Sequence, residues 1–309
     1  MGMYKNKRKG FTFIELIFVI VVLGIVASII SGVIAQLYDN YLTQRAMQRV
    51  SSRTELAINQ IINRLTYRIS SSVIARNPTD NSYILLENAP PGTTNQTNTV
   101  LEWIGYDNDS FSAANTPGWS GYCDTNATAS PTIVTPGSTL TFTDTVISNL
   151  SGGGNPQKAL LFSLYGQLDD PASGTISNAS CYGYDGNTSC IHIVNTNSDT
   201  KLITNRAAGT NISSQYKLAW TAYAVVPTNL ADGTAMTNTL FDLELRYNYQ
   251  PWNGIQYNSA NAQRKVLIRN VTAFKFTQYG GTLRVKLCAT EDTGRNVNIS
   301  VCKEKVVIR

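Results

Sequence analysis

From Leu16 to Ala27 no polar side chain interrupts the chain, and the apolar run continues to Ala35 past only Ser28, Ser31 and Gly32. Counted from Phe11 to Leu37, a helix rising ~1.5 Å per residue would be about 40 Å long, enough to cross a ~30 Å hydrocarbon core. One acid, Glu15, stands near its start. A carboxylate in hydrocarbon costs roughly 2.5–3.5 kcal/mol even on the gentler insertion scales, so an acid there is a functional candidate by default. Lys5, Lys7, Arg8 and Lys9 precede the run with no acid among them. By the positive-inside rule they keep the N-terminus in the cytoplasm, with everything after the span facing outward. The bland alternative is a secretory signal peptide cut near Val33-Ile34-Ala35. This apolar region is too long for one and carries a glutamate.

The same four cations account for the basic charge. Subtracting them from the formal +5 leaves about +1 on the remainder, so the balance gives no support for general nucleic-acid binding. Only 15% of residues are charged, whereas Asn, Thr, Ser and Gly are plentiful. Low charge suits an exported surface that packs against copies or relatives of itself. Cys123, Cys181, Cys190, Cys288 and Cys302 all lie beyond the span, where an oxidising compartment would give two disulfides and one leftover thiol.

Helical periodicity continues past the apolar run. Leu42, Ala46, Val50, Ala57, Ile61, Leu65, Ile69 and Val73 form one stripe, and Asn77-Pro78 is the first strong stop. The spacing predicts one helix from about residue 12 to 75. Arg45, Arg49 and Arg53, with Arg64 and Arg68 further on, form a second row. That row either meets acidic subunit faces or lipid headgroups, or is simply a solvated face. The chain then divides into a leader over 1–10, a transmembrane segment over 11–37, the amphipathic outer half of the same helix over 38–76 and a β-rich head over 77–309.

Within the head, short β-like runs alternate with turn-rich segments. Strands are expected at Tyr83–Leu86, Val100–Tyr106, Ile133–Val134 with Thr139–Phe142, Ala159–Tyr165, Cys190–Val194, Lys217–Val226 and Leu240–Tyr249. Four more are expected at Lys265–Ile268, Ala273–Gln278, Thr282–Ala289 and Val297–Ile308. The last two flank the turn signal Asp292-Thr293-Gly294-Arg295. Pairing them about residue 295 sets Cys288 opposite Cys302 and Lys286 opposite Glu304, within disulfide reach. Cys181 and Cys190 bracket a turn-like segment and are paired next, although Cys123 could bond to either instead. The fold class is α+β: a long N-terminal helix packed on an antiparallel β-rich globular head.

Signals for catalysis or cofactors are scarce. His192, the single histidine, alternates with Ile191 and Ile193 in an expected strand and reads as structural. Ser151-Gly152-Gly153-Gly154 lacks the lysine and following helix of a phosphate loop, and no Cys-x-x-Cys exists. Asp107-Asn108-Asp109 offers oxygen ligands but misses most of the calcium-loop pattern. Asn126 and Asn187 begin Asn-x-Ser/Thr triplets with an aspartate two residues earlier. No cofactor, metal or enzymatic activity is expected.

Lys9-Gly10-Phe11-Thr12-Phe13-Ile14-Glu15-Leu16 resembles the prepilin leader of type IV pilins and type II secretion pseudopilins. The resemblance implies a leader peptidase that cuts after Gly10 and methylates the new N-terminus, Phe11. It also implies that Glu15 attracts the terminal amine of an adjacent subunit during filament assembly. Gly24 and Gly32 fall where pilin helices often loosen. Val266–Val271, Phe274-Lys275-Phe276, Leu283–Leu287 and Val301–Ile308 are similar to minor pseudopilins of the J type. Implied partners are the prepilin peptidase and N-methyltransferase, other pilins or pseudopilins, an inner-membrane assembly platform and the lipid bilayer. Implied localisation is the bacterial inner membrane with a periplasmic head, or the cell exterior if the chain enters a pilus. The role is then a minor subunit that primes or caps a secretion pseudopilus or pilus-like filament. The alternative is a tip subunit that binds DNA or surfaces.

Overall fold

The computed structural model describes residues 10, 12–89, 97–112, 115–162, 179–205, 212–228, 240–279, 281–294 and 297–308. The leader before Gly10, and Phe11, lie outside them. The chain divides into two compact units, Met1–Arg49 with Glu291–Ile299 and Val50–Thr290 with Ser300–Arg309.

A single helix, α1 (Phe13–Thr66), begins in the first unit. It is long and apolar enough to cross a membrane, with a mean hydropathy of 3.0 over its most apolar stretch, none of which is buried. Each large apolar side chain left in water forgoes about 2 kcal/mol, so this surface requires an apolar surrounding. From Val50 onward the expected stripe turns inward: Val50, Ala57, Ile61 and Leu65 are buried, with Thr54 and Ile58 beside them.

The helix ends at Thr66, earlier than the periodicity predicts. Ile69 and Val73 are buried as expected, but on a different backbone. The Ile69 N–H bonds the Ile104 carbonyl at 2.9 Å, and the Tyr106 N–H bonds the Tyr67 carbonyl at 2.9 Å. Arg68 Nη1 reaches back to the Leu65 carbonyl at 3.0 Å, satisfying one of the groups that a helix end leaves open. Ser72 Oγ donates to the Ile69 carbonyl and accepts from the Ile104 N–H. Serines that bond the local backbone in this way compete with helix continuation.

The described strands form one twelve-stranded sheet: β1 (Ile74–Arg76), β2 (Tyr83–Leu85), β3 (Val100–Tyr106), β4 (Thr132–Val134), β5 (Lys158–Phe162), β6 (His192–Ser198), β7 (Lys201–Thr204), β8 (Tyr216–Thr228), β9 (Phe241–Tyr249), β10 (Gln263–Tyr279), β11 (Thr282–Asp292) and β12 (Asn298–Val307). The described registers in it are antiparallel, and the order β12-β11-β10-β9-β8-β5-β6-β7-β4 carries β3, β1 and β2 as a branch. β8 is the hub. β3 pairs with its residues 219–225, β9 with 222–228 and β5 with 216–219. Because β3 overlaps both of the others, β9 and β5 must lie end to end along the opposite edge of β8. The sheet therefore forks near Trp220 and Thr221.

Several sequence expectations change. Thr139–Phe142 is not a strand: α3 (Leu140–Leu150) runs there, burying Leu140, Thr143 and Ile147 at helical spacing. The β-branched threonines favour strand, and tertiary burial overrides that preference. Lys265–Ile268 and Ala273–Gln278 belong to one strand, β10, whose register shifts twice between Val266 and Val271, where Asn270 sits at φ 57°. Such bulges make a strand look broken from its pattern. The strand expected over Cys190–Val194 is shifted to His192–Ser198. β1, β7 and the short α2 (Asn108–Ser112) are additional. Of the strand expected at Ala159–Tyr165, residues 163–165 lie outside the described residues.

Candidate functional site

Glu15 stands at the third position of α1, and Thr12 precedes the first helical residue. The Thr12 carbonyl accepts from the Glu15 and Leu16 N–H groups at 3.1 and 3.2 Å, while Glu15 Oε2 lies 3.5 Å from the Thr12 N–H. This is one arm of a capping box, Ser/Thr-x-x-Glu, in which a side chain covers an N–H that the helix cannot. An acid in the first turn also faces the positive end of the helix dipole. Glu15 thus has a local helix-starting role that the sequence reading missed, although Thr12-Phe13-Ile14-Glu15 displays the pattern. Glu15 is exposed, as are Phe13, Ile14, Leu16 and Phe18 around it. Gly10 is exposed, with open space where a side chain would stand. Phe11, the expected methylation position, lies outside the described residues.

Two cysteine pairs are bonded, Cys181 with Cys190 and Cys288 with Cys302, at Cα separations of 5.1 and 4.0 Å. Cys123 is a free, buried thiol 3.4 Å from Thr128 Oγ1, and burial pushes its pKa up, which makes it a poor nucleophile. Along α1, Arg45, Arg49 and Arg53 are exposed, whereas Arg68 is buried and also bonds the Gly281 carbonyl at 3.1 Å. The basic row is therefore not one functional set.

Other candidates resolve into structure. His192 is buried in β6 with its ring edge-on to Phe162 at 5.0 Å. Asp107 is buried and accepts from the Ser110 N–H at 3.2 Å and from its hydroxyl, capping α2 rather than opening toward a cation. No cluster of three or more His, Cys, Asp or Glu suited to a metal occurs among the described residues. Ser151 to Gly153 close the C-terminus of α3: the Gly152 N–H bonds the Asn149 carbonyl and the Gly153 N–H the Ser148 carbonyl, at 3.3 and 2.8 Å. With Gly152 at φ 80° this is a Schellman cap, which presents carbonyls, opposite in polarity to a phosphate loop.

One charged centre was not legible. Arg76 on β1 and Glu102 on β3 are both buried, with Nε to Oε2 at 2.6 Å. Arg76 Nη1 donates to the Asn81 carbonyl at 2.9 Å, and the Tyr249 hydroxyl donates to Glu102 Oε1 at 3.0 Å. The rings of Tyr83, Tyr184 and Tyr257 lie 5.0, 5.5 and 5.6 Å from the guanidinium carbon. Burial opposes the Arg76 charge, yet the adjacent carboxylate raises its pKa above the usual guanidinium value. Closed by aromatic rings, this pair holds strands together.

Residues 5–31 match the family model described as the prokaryotic N-terminal methylation motif. The matched span contains Gly10, Phe11 and Glu15 and runs into the exposed apolar half of α1. It supports a prepilin-like protein of the type IV pilin or pseudopilin kind, a structural family whose members are processed by prepilin peptidase and assemble with other pilins. The single N-terminal apolar helix fits a membrane anchor of that kind. No match is found among curated proteins or among solved structures.

Proposed function

We propose that the chain is a minor pilin or pseudopilin that enters or primes a secretion pseudopilus or related filament after its leader is cut between Gly10 and Phe11. The observation that carries this reading is the methylation motif fused to a 54-residue helix whose apolar half has no cover within the chain. Once Phe11 is an N-terminal amine, it is the nearest new cation of the right sign for a subunit whose single early acid is Glu15. In an apolar layer an unpaired carboxylate is penalised, so pairing with an ammonium on a neighbouring subunit would set the stagger of assembly. A β-rich head with long loops suits a low-copy or terminal position.

Glu15→Gln and Glu15→Ala separate this role from capping. Glutamine keeps the capping hydrogen bond and loses the charge. In the native host, both variants are expected to be processed normally yet to be recovered far less often in crosslinks to neighbouring filament subunits. Normal crosslinking of Glu15→Gln would confine Glu15 to starting the helix and sink the assembly role.

A further inference from the structure

Where β9 and β5 meet end to end along β8, the sheet opens into a cleft of about 540 Å³. The fork leaves β8 backbone near Trp220 and Thr221 without a continuous strand partner, and one side-chain amide, that of Gln250, stands in for part of the missing ladder. Gln250 Nε2 donates to the Trp220 carbonyl at 2.9 Å. The Asn248 N–H donates to Thr221 Oγ1 at 2.9 Å, and Asn248 Nδ2 to the Ser151 carbonyl at 3.2 Å. Each of these side chains retains an amide oxygen as an acceptor. Asn248 sits at φ 59°, beside a register shift between β8 and β9.

Five further amides line the same cleft: Asn155, Gln157, Asn195, Asn253 and Asn261. Among the described residues their side chains make no hydrogen bond within the chain, so their donors and acceptors are available together. They come from four separate stretches of sequence that only the fork brings together. Among the described residues no charged side chain lines the cleft, and the carbonyl end of α3 forms one wall through Ser151.

We propose that this cleft binds a neutral, polyhydroxylated ligand, that is, a glycan. A primary amide offers donors and an acceptor side by side, and a sugar hydroxyl both donates and accepts, so each contact can be satisfied in both directions. An anion finds no cation here and meets the negative end of a helix. An apolar ligand would strand several amides without partners. The volume falls in the ~300–1,000 Å³ range of small-ligand sites. The site is independent of Glu15, so it stands or falls separately from the assembly reading.

The test uses the full chain in a sugar-free detergent, with soluble neutral hexose and N-acetylhexosamine oligomers, beads of neutral polysaccharide, and heparin as the anionic control. At least one neutral probe is expected to bind with an affinity insensitive to salt. Binding in the soluble arm identifies a free saccharide as sufficient, and binding to beads alone identifies a polymer surface. Asn195→Ala with Asn253→Ala, both exposed and without internal bonds, should weaken binding by about tenfold while leaving the unfolding midpoint unchanged. The proposal is overturned if no neutral probe binds, if the double variant binds as well as the parent, or if only heparin binds and salt abolishes it.

Discussion

Two carboxylates in this chain meet opposite fates. Glu102 is fully enclosed, and its cation, Arg76, belongs to the same folded unit at 2.6 Å. Glu15 lies among exposed apolar side chains, and its one close partner is a backbone N–H three residues away at 3.5 Å. The first acid is resolved by folding. The second has no cation beside it among the described residues. The difference teaches where to look for function: an acid whose cation is built in holds strands, whereas the one left open in an apolar setting is the one proposed to act in assembly.

The sharpest way to break that comparison is to remove one member of the enclosed pair. Arg76→Ala or Glu102→Ala should destabilise the second unit by about 3–5 kcal/mol, because the remaining charge stays buried without its partner. Replacing both together with apolar residues of similar size should restore most of that loss. Denaturant unfolding of the detergent-solubilised chain measures both, and an innocuous single variant would show that the pair is not enclosed as described.

Next in size is the Cys288–Cys302 bond, which closes a short loop with a sequence separation of 14. Cys288→Ser with Cys302→Ser should cost about 3 kcal/mol on the chain-entropy argument. Reduction with dithiothreitol should lower the parent's midpoint more than that variant's, which has only Cys181–Cys190 left to reduce. The smallest effect concerns Glu55, whose Oε1 lies 2.6 Å from Lys305 Nζ. The Lys305 hydrogen bond holds the Glu55 pKa below its ordinary 4.5. A depressed acid stabilises above its unfolded pKa and loses that contribution as pH falls through the lower, folded value. Glu55→Gln should therefore flatten the acid limb of the stability-against-pH curve slightly, and salt should reduce the difference because the pair is only half-buried.

Patterns local in sequence were legible before the structure. The apolar run, the stripe through Val50, Ala57, Ile61 and Leu65, and most strands follow from period and turn chemistry. What failed depended on distant partners. Ile69 and Val73 keep the helical period, yet β3 captures the backbone around them through Ile104 and Tyr106. Leu140, Thr143 and Ile147 carry a helical face that the threonines between them disguise. Arg76 and Glu102 are 26 residues apart, with nothing local to link them. The amide cleft is less legible still, since Asn155, Asn195, Asn248 and Asn261 converge only because β8 exchanges one partner strand for another.

The most direct test of the central claim is the intact mass of the protein extracted from its own host's membranes. The expected species begins at Phe11 and carries one added methyl group. Retention of residues 1–10, or a first residue beyond Ala35, would contradict it, since Glu15 would then never stand beside a free terminal amine in the membrane.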